Sequence, residues 1–294
     1  MTKFRSGYVS IIGRPNVGKS TLLNAILGEK VAIVTPKPQT TRNRIIGIKT
    51  LPGTQIIFID TPGIHKPRHK LGEIMVKTAM EALKEVDIIL FMVEPREPES
   101  GDRVIIESLK KVRSPVFLLI NKIDTIKKPD LLPLIDRLKE FYPFKEIIPI
   151  SAVKQDGINL LIKKICDYLP YGPRYYPEEI ITDQLERFMV SEIIREKVIE
   201  MTEEEVPHSV AVEVAEWKER EDGLISISSN IYVEREGQKG IIIGKGGAML
   251  KAIGSAARVD IEKLLNTKVF LQLWVKAKKD WRDDKKTLKE LGYK

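Results

Sequence analysis

Cysteine is almost absent from the sequence, since Cys166 is the single example in 294 residues. One cysteine excludes an intramolecular disulfide and a cysteine-rich zinc cluster. Long apolar runs are also missing. The most apolar stretch, residues 86–94, is far shorter than the roughly 20 residues that a membrane-spanning helix needs. We therefore expect a protein of a reducing cytoplasm, for which any membrane contact would have to be peripheral.

The first twenty residues lack the apolar core and the small-residue cleavage site of a secretory signal, so we expect no signal peptide. The chain is instead 43% apolar and 31% charged, which is typical of a globular protein with enough Val, Ile and Leu to form real cores. Its length of 294 residues favours two domains, if one domain takes roughly 150 residues.

The formal net charge of +8 is unevenly distributed along the chain. Acidic residues outnumber basic ones over 183–234, and basic residues outnumber acidic ones over 235–294. A charge run alone more often marks a solvated face. Because this basic stretch surrounds a glycine-rich loop, we interpret it as the surface for a polyanionic partner.

Five short apolar runs without alternation occur in the first half of the chain, separated by stretches with helical spacing. They are residues 8–12, 56–59, 88–93, 116–120 and 147–150. Continuous apolar runs indicate strands buried on both faces, as in a parallel sheet. The alternation of strands and helices predicts a doubly wound α/β domain over residues 1–170.

A second domain is predicted after a linker at 171–182, where prolines and a glycine disfavour helix and strand. Residues 183–294 read as a helix, two alternating strands, two helices and a final strand, followed by a basic segment at 276–294. This order predicts a smaller α+β domain.

The stretch GRPNVGKS, residues 13–20, has the spacing of a phosphate-binding loop between a predicted strand and a predicted helix. Glycines let backbone N–H groups surround phosphates, Lys19 places its ammonium on the outer phosphates, and the Ser20 hydroxyl binds Mg²⁺. The motif alone leaves the base open. The nucleotide contacts predicted here are Gly13, Arg14, Pro15, Asn16, Val17, Gly18, Lys19, Ser20 and Thr21.

Three later segments end predicted strands and favour GTP. Asp60 is placed to reach the metal through water, Gly63 can offer its N–H to a terminal phosphate, and Asp124 can accept from two guanine N–H groups. Singly, Asp60 or Asp124 could equally be an ordinary loop carboxylate. In this order the set favours a GTP site. The further predicted contacts are Asp60, Thr61, Pro62, Gly63, Ile64, Asn121, Lys122, Asp124, Ser151 and Ala152.

The segments GRPNVGKSTLLN, PKPQTTR and DTPG resemble the Era, EngA and MnmE group of translation-factor-related GTPases. The resemblance implies that Thr41 is the switch threonine that joins the Mg²⁺ shell, with Thr40 as the alternative. It assigns Lys19, Thr41 and Gly63 to catalysis. Asn16 matches an asparagine that helps to seat K⁺, an expectation that equal hydrolysis rates in Na⁺ and K⁺ would exclude.

Ile64 stands where signalling GTPases carry the glutamine that orients the attacking water. Isoleucine cannot orient water, so we expect slow hydrolysis unless another loop, a monovalent cation or a partner positions the nucleophile. The nearby His65 and His69 fit a mobile solvated loop better than a metal site.

A second glycine loop, Gly244-Lys245-Gly246-Gly247, lacks the GKS or GKT that a second triphosphate site would need. A bare G-x-x-G is more often a helix-capping turn. The isoleucine run before it, the amphipathic pattern after it and the flanking lysines favour a loop that clamps about four nucleotides of single-stranded RNA, as in a type II KH domain. The predicted RNA contacts are Ile241, Ile243, Gly244, Lys245, Gly246, Gly247 and Lys251.

With both domains the whole chain resembles the Era family of bacterial GTPases. The resemblance implies GTP hydrolysis with Mg²⁺, binding of 16S ribosomal RNA near its 3′ end, and a role in 16S rRNA processing and assembly of the 30S subunit. It also implies peripheral contact with the inner face of the cell membrane, and we expect a monomer. Two alternatives remain open: a metabolic kinase that uses ATP, against which Asp124 argues, and a membrane or protein docking module with a basic tail.

Overall fold

A computed structural model describes residues 4–293. The chain divides into two compact units, and each is described by itself. The first comprises the chain up to Ala32, Thr41–Arg68 and Gly72–Asp183, and the second comprises Ile33–Thr40, His69–Leu71 and the chain from Gln184. The division therefore places the short segment 33–40 with the C-terminal part of the chain.

The first unit is built on a sheet with the strand order β2-β3-β1-β4-β5-β6. Its strands are β1 (Arg5–Gly13), β2 (Ile45–Leu51), β3 (Thr54–Asp60), β4 (Ile88–Val93), β5 (Val116–Ile120) and β6 (Glu146–Pro149). The helices of this part of the chain are α1 (Lys19–Leu27), α2 (Lys70–Glu81), α3 (Ser100–Leu109), α4 (Lys128–Leu138) and α5 (Ile158–Tyr168). β2 runs antiparallel to β3, and the other neighbouring pairs are parallel.

Burial explains the architecture of this sheet. Every residue of β3, β4 and β5 is buried, as continuous apolar runs predict for strands covered by helices. The predicted α/β fold is confirmed. The edge strand β2 was absent from the prediction, because its apolar run is interrupted by Gly47 and passes into polar residues. Gly47 lies against α1, where a Cβ would come within 2.6 Å of Leu23 Cδ1.

Residues 172–185 form neither helix nor strand, which agrees with the proline-rich sequence. Part of this segment is nevertheless tied to the first unit. The backbone N–H groups of Tyr175 and Tyr176 donate to Gln55 Oε1 at 2.9 and 3.0 Å, and Gln55 Nε2 donates to the Tyr176 carbonyl at 2.9 Å. The predicted boundaries at 170 and 183 stay predictions.

The second unit has the predicted order of helix, two strands, two helices and strand, with two additional short helices, one before the first strand and one after the last. Its elements are α6 (Glu186–Met201), α7 (Val206–Ser209), β7 (Ala211–Glu219), β8 (Ile225–Val233), α8 (Glu236–Ile243), α9 (Ala248–Leu265), β9 (Val269–Ala277) and α10 (Lys285–Glu290). β7 and β8 pair antiparallel, and β8 and β9 pair parallel. Ile227 and Ile231 of β8 are fully buried in one core cluster with Ile253 and Ala257 of α9.

The C-terminal segment is more than the basic stretch that the sequence predicts. Trp281 is fully buried, and its indole N–H donates to the Ser209 carbonyl at 2.8 Å. Asp284 caps α10 by accepting from the Thr287 N–H at 2.9 Å. The sequence indicated only the positive charge of this stretch and did not identify these packing residues.

Candidate functional site

The loop between β1 and α1 requires glycine at both of its ends. Gly18 has a φ of 102°, and a Cβ there would lie 2.3 Å from Asn121 Nδ2. Gly13 has a φ of 157°, and a Cβ there would lie 2.5 Å from the Met92 carbonyl oxygen. Since Gly18 is the N-cap of α1 and provides no side-chain acceptor, the first N–H groups of this helix are available to an anion.

Lys19 begins α1 and is buried. Its ammonium donates to the Arg14 carbonyl at 3.0 Å, which holds the charge inside the loop. Burial lowers the pKa of Lys19 to about 8, and the nearby Asp60 carboxylate opposes this effect. The amine therefore keeps its proton at neutral pH, ready to pair with a phosphate.

Ser20, Thr41 and Asp60 come together from three separate segments. The Ser20 hydroxyl donates to Asp60 Oδ2 at 2.6 Å and lies 2.8 Å from the Thr41 hydroxyl oxygen. Asp60 is fully buried at the end of β3. Burial raises the pKa of Asp60 to about 6, although the Lys19 ammonium and the Ser20 hydrogen bond act against it. The carboxylate is thus largely ionised at neutral pH.

These three side chains fit a magnesium ion. Asp60 Oδ1 is buried and has no hydrogen-bond partner among residues 4–293, so one carboxylate oxygen remains to be satisfied by a ligand or by water. Within the same residues no group of three His, Cys, Asp or Glu side chains could hold a metal. A set of hydroxyl and carboxylate oxygens suits Mg²⁺, which completes its shell with water and substrate phosphate.

The two candidate switch threonines have different surroundings. The Thr40 hydroxyl lies 2.7 Å from that of Thr35 and donates to the Lys37 carbonyl at 2.8 Å, so it stabilises its own loop. Of the two threonines, Thr41 is the one whose hydroxyl lies beside that of Ser20. This placement favours Thr41 over Thr40 as the residue of the metal site.

The segment after β3 is held tightly against the phosphate-binding loop. A Cβ on Gly63 would come within 2.6 Å of the Pro15 nitrogen, and the Ile64 N–H donates to the Gly13 carbonyl at 3.1 Å. The Thr61 hydroxyl donates to the Ile11 carbonyl at 2.8 Å. The Ile64 side chain is buried in the core, so it takes no part in orienting water.

Asn121 connects two loops of the candidate site. Its Nδ2 donates to the Val17 carbonyl at 2.7 Å, and its Oδ1 accepts from the Ala152 N–H at 3.0 Å. The sequence led us to expect a contact with the base. In this structure the amide braces the phosphate-binding loop against the loop that carries Ala152, and the predicted base contact stays a prediction.

Asp124 lies in the short 3-10 turn Ile123–Thr125 and is exposed. The buried Ser151 hydroxyl donates to Asp124 Oδ1 at 2.6 Å, which fixes the orientation of the carboxylate. Lys122 precedes this turn with a φ of 65°, and its ammonium pairs with Glu94 Oε1 at 2.5 Å. The structure thus brings together the end of β5 and the Ser151 loop, as the strand-end positions predict.

The glycine-rich segment 244–247 joins α8 to α9. Gly244, Gly246 and Gly247 have φ values of 72°, 58° and 81°, in the left-handed region that glycine tolerates best. Gly244 is the C-cap of α8 and Gly247 is the N-cap of α9, so this turn caps both helices. No heavy atom lies within 4 Å of a Cβ built on Gly246 among the described residues, which leaves the loop surface open.

A groove of about 580 Å³ lies beside this loop, between α9 and β9. Its lining combines apolar and cationic side chains, among them Leu250, Lys251, Arg258, Leu271 and Leu273. A Cβ on Gly254 would lie only 3.3 Å from Leu273 Cδ1, so glycine keeps this part of the groove open. Such a lining suits bases on the apolar side and phosphates on the cationic side.

The predicted RNA contacts are only partly gathered in this groove. Gly247 and Lys251 line it. Ile242 is fully buried in the core, while its neighbour Ile241 is half exposed and Ile243 is partly buried. Arg258 was not among the RNA contacts predicted from the sequence, although it follows Lys251 by seven residues, about two helical turns, and therefore lies on the same face of the helix.

Comparisons with known proteins agree with both halves of this description. A family described as 50S ribosome-binding GTPase matches residues 8–122, and the KH domain family matches residues 205–282. Over 292 residues the chain is 60% identical to GTPase Era of Geobacter metallireducens, which covers 99% of this chain and 98% of that protein. The chain belongs to the Era family of GTPases. GTPase Era of Ruminiclostridium cellulolyticum is 58% identical over 99% of this chain and 98% of that protein.

Two solved Era structures match the whole chain. One is Era in complex with MgGDPNP and nucleotides 1506–1542 of 16S ribosomal RNA, with a TM-score of 0.96, 45% identity and 99% coverage of each chain. The other is a variant of Aquifex aeolicus Era bound to GDP and AlF4⁻, with the same values. The fold of this Era family member is therefore that of a GTPase domain followed by a KH domain.

One feature of this Era family member escaped the sequence analysis. The Arg14 guanidinium bonds to Glu99 at 2.5 Å and to Asp102 at 2.9 Å. Glu94 pairs with Lys122 and lies 3.9 Å from Arg14, so it connects the phosphate-binding loop to the residue that precedes the turn of Asp124. The Arg14 side chain is thus engaged by carboxylates, and the nucleotide contact predicted for Arg14 would have to come from its backbone. The acidic residues that follow β4 in the sequence, among them Glu94 and Glu99, could have indicated a partner for this arginine.

Proposed function

We propose that this protein is a GTP-hydrolysing switch that binds 16S ribosomal RNA near its 3′ end and acts in 16S rRNA processing and 30S subunit assembly. The observation that carries the proposal is the presence of two differently built sites on one chain. One is the buried cluster of Ser20, Thr41 and Asp60 beside a phosphate-binding loop. The other is the groove beside Gly247, lined by Lys251 and Arg258. Era in complex with MgGDPNP and 16S RNA supports this combination.

In the GTP site we assign the phosphates to the loop 13–20 and to the Lys19 ammonium. Ser20 and Thr41 would hold Mg²⁺ directly and Asp60 through water, and the ion would neutralise charge on the phosphate oxygens. The Gly63 N–H, close to Pro15, faces the terminal phosphate in this proposal. Catalysis then consists of positioning and electrostatic stabilisation by groups that are already in place.

Hydrolysis by the isolated protein is slow in this proposal, because Ile64 is buried and offers no polar atom to the water. Asn16, which has a left-handed φ of 64° in the phosphate-binding loop, is the residue to which we assign K⁺. A K⁺ ion beside the phosphates would add positive charge in the transition state. Hydrolysis that runs equally fast in sodium and potassium salts would rule this assignment out.

In the RNA site we assign the sugar-phosphate backbone to Gly244, Lys245, Gly246 and Gly247, and the bases to the groove between α9 and β9. The backbone N–H groups of the glycine turn and the lysine ammonium supply positive charge, while the apolar wall accepts base faces. Among the described residues, no helix has the length and apolar character to cross a membrane. We propose a monomer in the cytoplasm with peripheral contact at the inner membrane face, which sizing and cell fractionation would test.

Coupling between the two sites is the regulatory part of the proposal. Thr41 belongs to the first unit and Thr40 to the second. Within the second unit, Arg195 donates to the Thr40 carbonyl at 2.6 Å and Lys37 donates to the Ile199 carbonyl at 2.8 Å, at the C-terminal end of α6. A change at Thr41 on GTP binding would therefore reach α6 through its chain neighbour.

We expect full-length protein to bind RNA of nucleotides 1506–1542 at least about fivefold more tightly with GDPNP than with GDP, at the lower end of typical coupling energies. Lys37→Met removes the ammonium that satisfies the Ile199 and Thr202 carbonyls, so it is expected to bring the two affinities closer together. Fluorescence anisotropy at fixed salt measures both.

Lys84→Met serves as the control for this variant, because it removes one positive charge from an exposed lysine in the turn after α2. The control should keep the wild-type ratio of affinities. Equal RNA affinities with GDPNP and GDP in the wild-type protein would contradict the coupling, while leaving the two binding sites intact.

A further inference from the structure

The edge strand β9 presents two large aromatic side chains to solvent. Phe270 is 46% exposed and Trp274 is 57% exposed, and they share one face of the strand with Gln272 and Lys276. The alternate residues of β9 face the core, where Val269 is buried. Neither the fold nor the GTP site makes use of these exposed rings.

The surroundings of the two rings are polar. In the register with β8, Phe270 lies opposite Ser226 and Trp274 lies opposite Asn230. The Arg220 guanidinium carbon lies 5.9 Å from the centre of the Phe270 ring. Two separate rings among hydroxyl, amide and cationic groups do not form the contiguous apolar patch that favours a protein partner.

The rings are continuous with the groove assigned to RNA. β9 is the outermost strand of its sheet, with β8 as its neighbour on one side, and the groove runs along β9. Phe270 belongs to the groove lining, so it stands at the border between the groove and the outer face of the sheet. Trp274 follows four residues later, about 13 Å farther along the strand.

The charges also favour the β9 side of this outer face. Lys276 follows Trp274 on the strand, and Lys268 precedes Phe270 and is highly exposed, although it lies 3.6 Å from Glu262. On the opposite strand β7, Glu213 and Glu216 occupy register positions next to β8. Glu216 is paired with Lys218 at 3.0 Å, so the β7 side carries mixed charge, whereas the lysines of the β9 side attract a polyanion.

We propose that Phe270 and Trp274 form a second RNA site, which we name the β9 platform, where bases of the strand that leaves the groove stack on the two rings. Aromatic side chains in a cationic setting are the usual platforms for unpaired bases, and Gln272 and Ser226 offer hydrogen bonds to base edges. This inference rests on the proposed RNA binding in the groove. The ligand is single-stranded RNA longer than the roughly four nucleotides that a glycine-loop groove holds.

The test compares a long and a short RNA with full-length protein. The long probe is nucleotides 1506–1542 of 16S rRNA, and the short probe is the tightest binder among pentanucleotides tiled across that sequence. Trp274→Ala and Phe270→Ala are each expected to weaken binding of the long probe by about tenfold, because one stacked base is lost. Binding of the short probe should stay within about twofold of wild type for Trp274→Ala, since this ring lies outside the groove lining.

Two further variants separate stacking from a structural role. Trp274→Phe keeps an aromatic face and should retain most of the affinity, whereas Val259→Ala trims another exposed apolar side chain, on α9, and should change nothing. Tryptophan fluorescence should be quenched by the long probe in the wild type and much less in Trp274→Phe, because Trp274 is the most exposed tryptophan among the described residues.

Unchanged affinity of Trp274→Ala for the long probe would overturn the β9 platform, and so would equal losses for the long and short probes, which would indicate a distorted groove. Failure of the wild-type protein to bind either probe is a different result, because it would overturn the proposed RNA function itself.

Discussion

Asp124→Asn is expected to weaken GTP binding by about 10⁴-fold, which is the penalty when the hydrogen-bonding groups of a site no longer match those of its ligand. The aspartate can accept from both guanine N–H groups at once. Ser151 fixes the carboxylate through Oδ1 at 2.6 Å, so in the variant the amide nitrogen replaces the other oxygen. The asparagine amide group and the exocyclic amine of guanine are both hydrogen-bond donors, so they cannot pair with each other. Titration calorimetry with GDP and GTP measures the loss.

Xanthosine triphosphate is the matched control for this variant. Xanthine carries a carbonyl where guanine carries the amine, so the asparagine amide can donate to it while its oxygen still accepts from the ring N–H. Binding of xanthosine triphosphate should therefore rise in the variant. Asp156→Asn, at an exposed position close to Ser151 in the chain, should leave GTP binding unchanged. A variant that binds guanosine and xanthosine triphosphates equally poorly would show that Asp124 supports the fold rather than reading the base.

The sequence was sufficient for the parts of the fold that are encoded locally. Continuous apolar runs identify β3, β4 and β5 because these strands are buried on both faces. β2 escaped because an edge strand needs less apolar surface and gains its place from pairing with β3. Trp281 escaped because its burial depends on distant partners such as the Ser209 carbonyl.

The candidate site shows the same limit at the level of single residues. The spacing of the phosphate-binding loop predicts the positions of Lys19 and Ser20, since the strand and the helix on either side fix them. It says nothing about where a long side chain goes. Arg14 turns toward Glu99 and Asp102, which follow another strand, and the Asn121 amide bonds to Val17 and Ala152. Such choices depend on groups that only the folded chain brings together.

Gly246→Asp is expected to weaken RNA binding by at least about 100-fold, because it places a carboxylate where the phosphates of the RNA would lie. The backbone should tolerate the change. Gly246 has a φ of 58°, which aspartate adopts more easily than most residues, and no described atom lies within 4 Å of the new Cβ. Repulsion between like charges is then the main effect. Anisotropy with the RNA of nucleotides 1506–1542 measures it, and GTP hydrolysis without RNA should remain at the wild-type rate.

Gly53→Asp is the matched control, since Gly53 lies in the first unit between β2 and β3, has a φ of 75° and has the same open space around its Cβ. It adds the same charge and similar backbone strain at a distant point of the sequence, so long-range electrostatics and general strain would affect both variants alike. RNA binding should survive in Gly53→Asp and be lost in Gly246→Asp. Equal losses of RNA affinity in the two variants would mean that the added negative charge weakens binding wherever it is placed. Full binding by a folded Gly246→Asp protein would mean that the RNA does not contact the glycine turn.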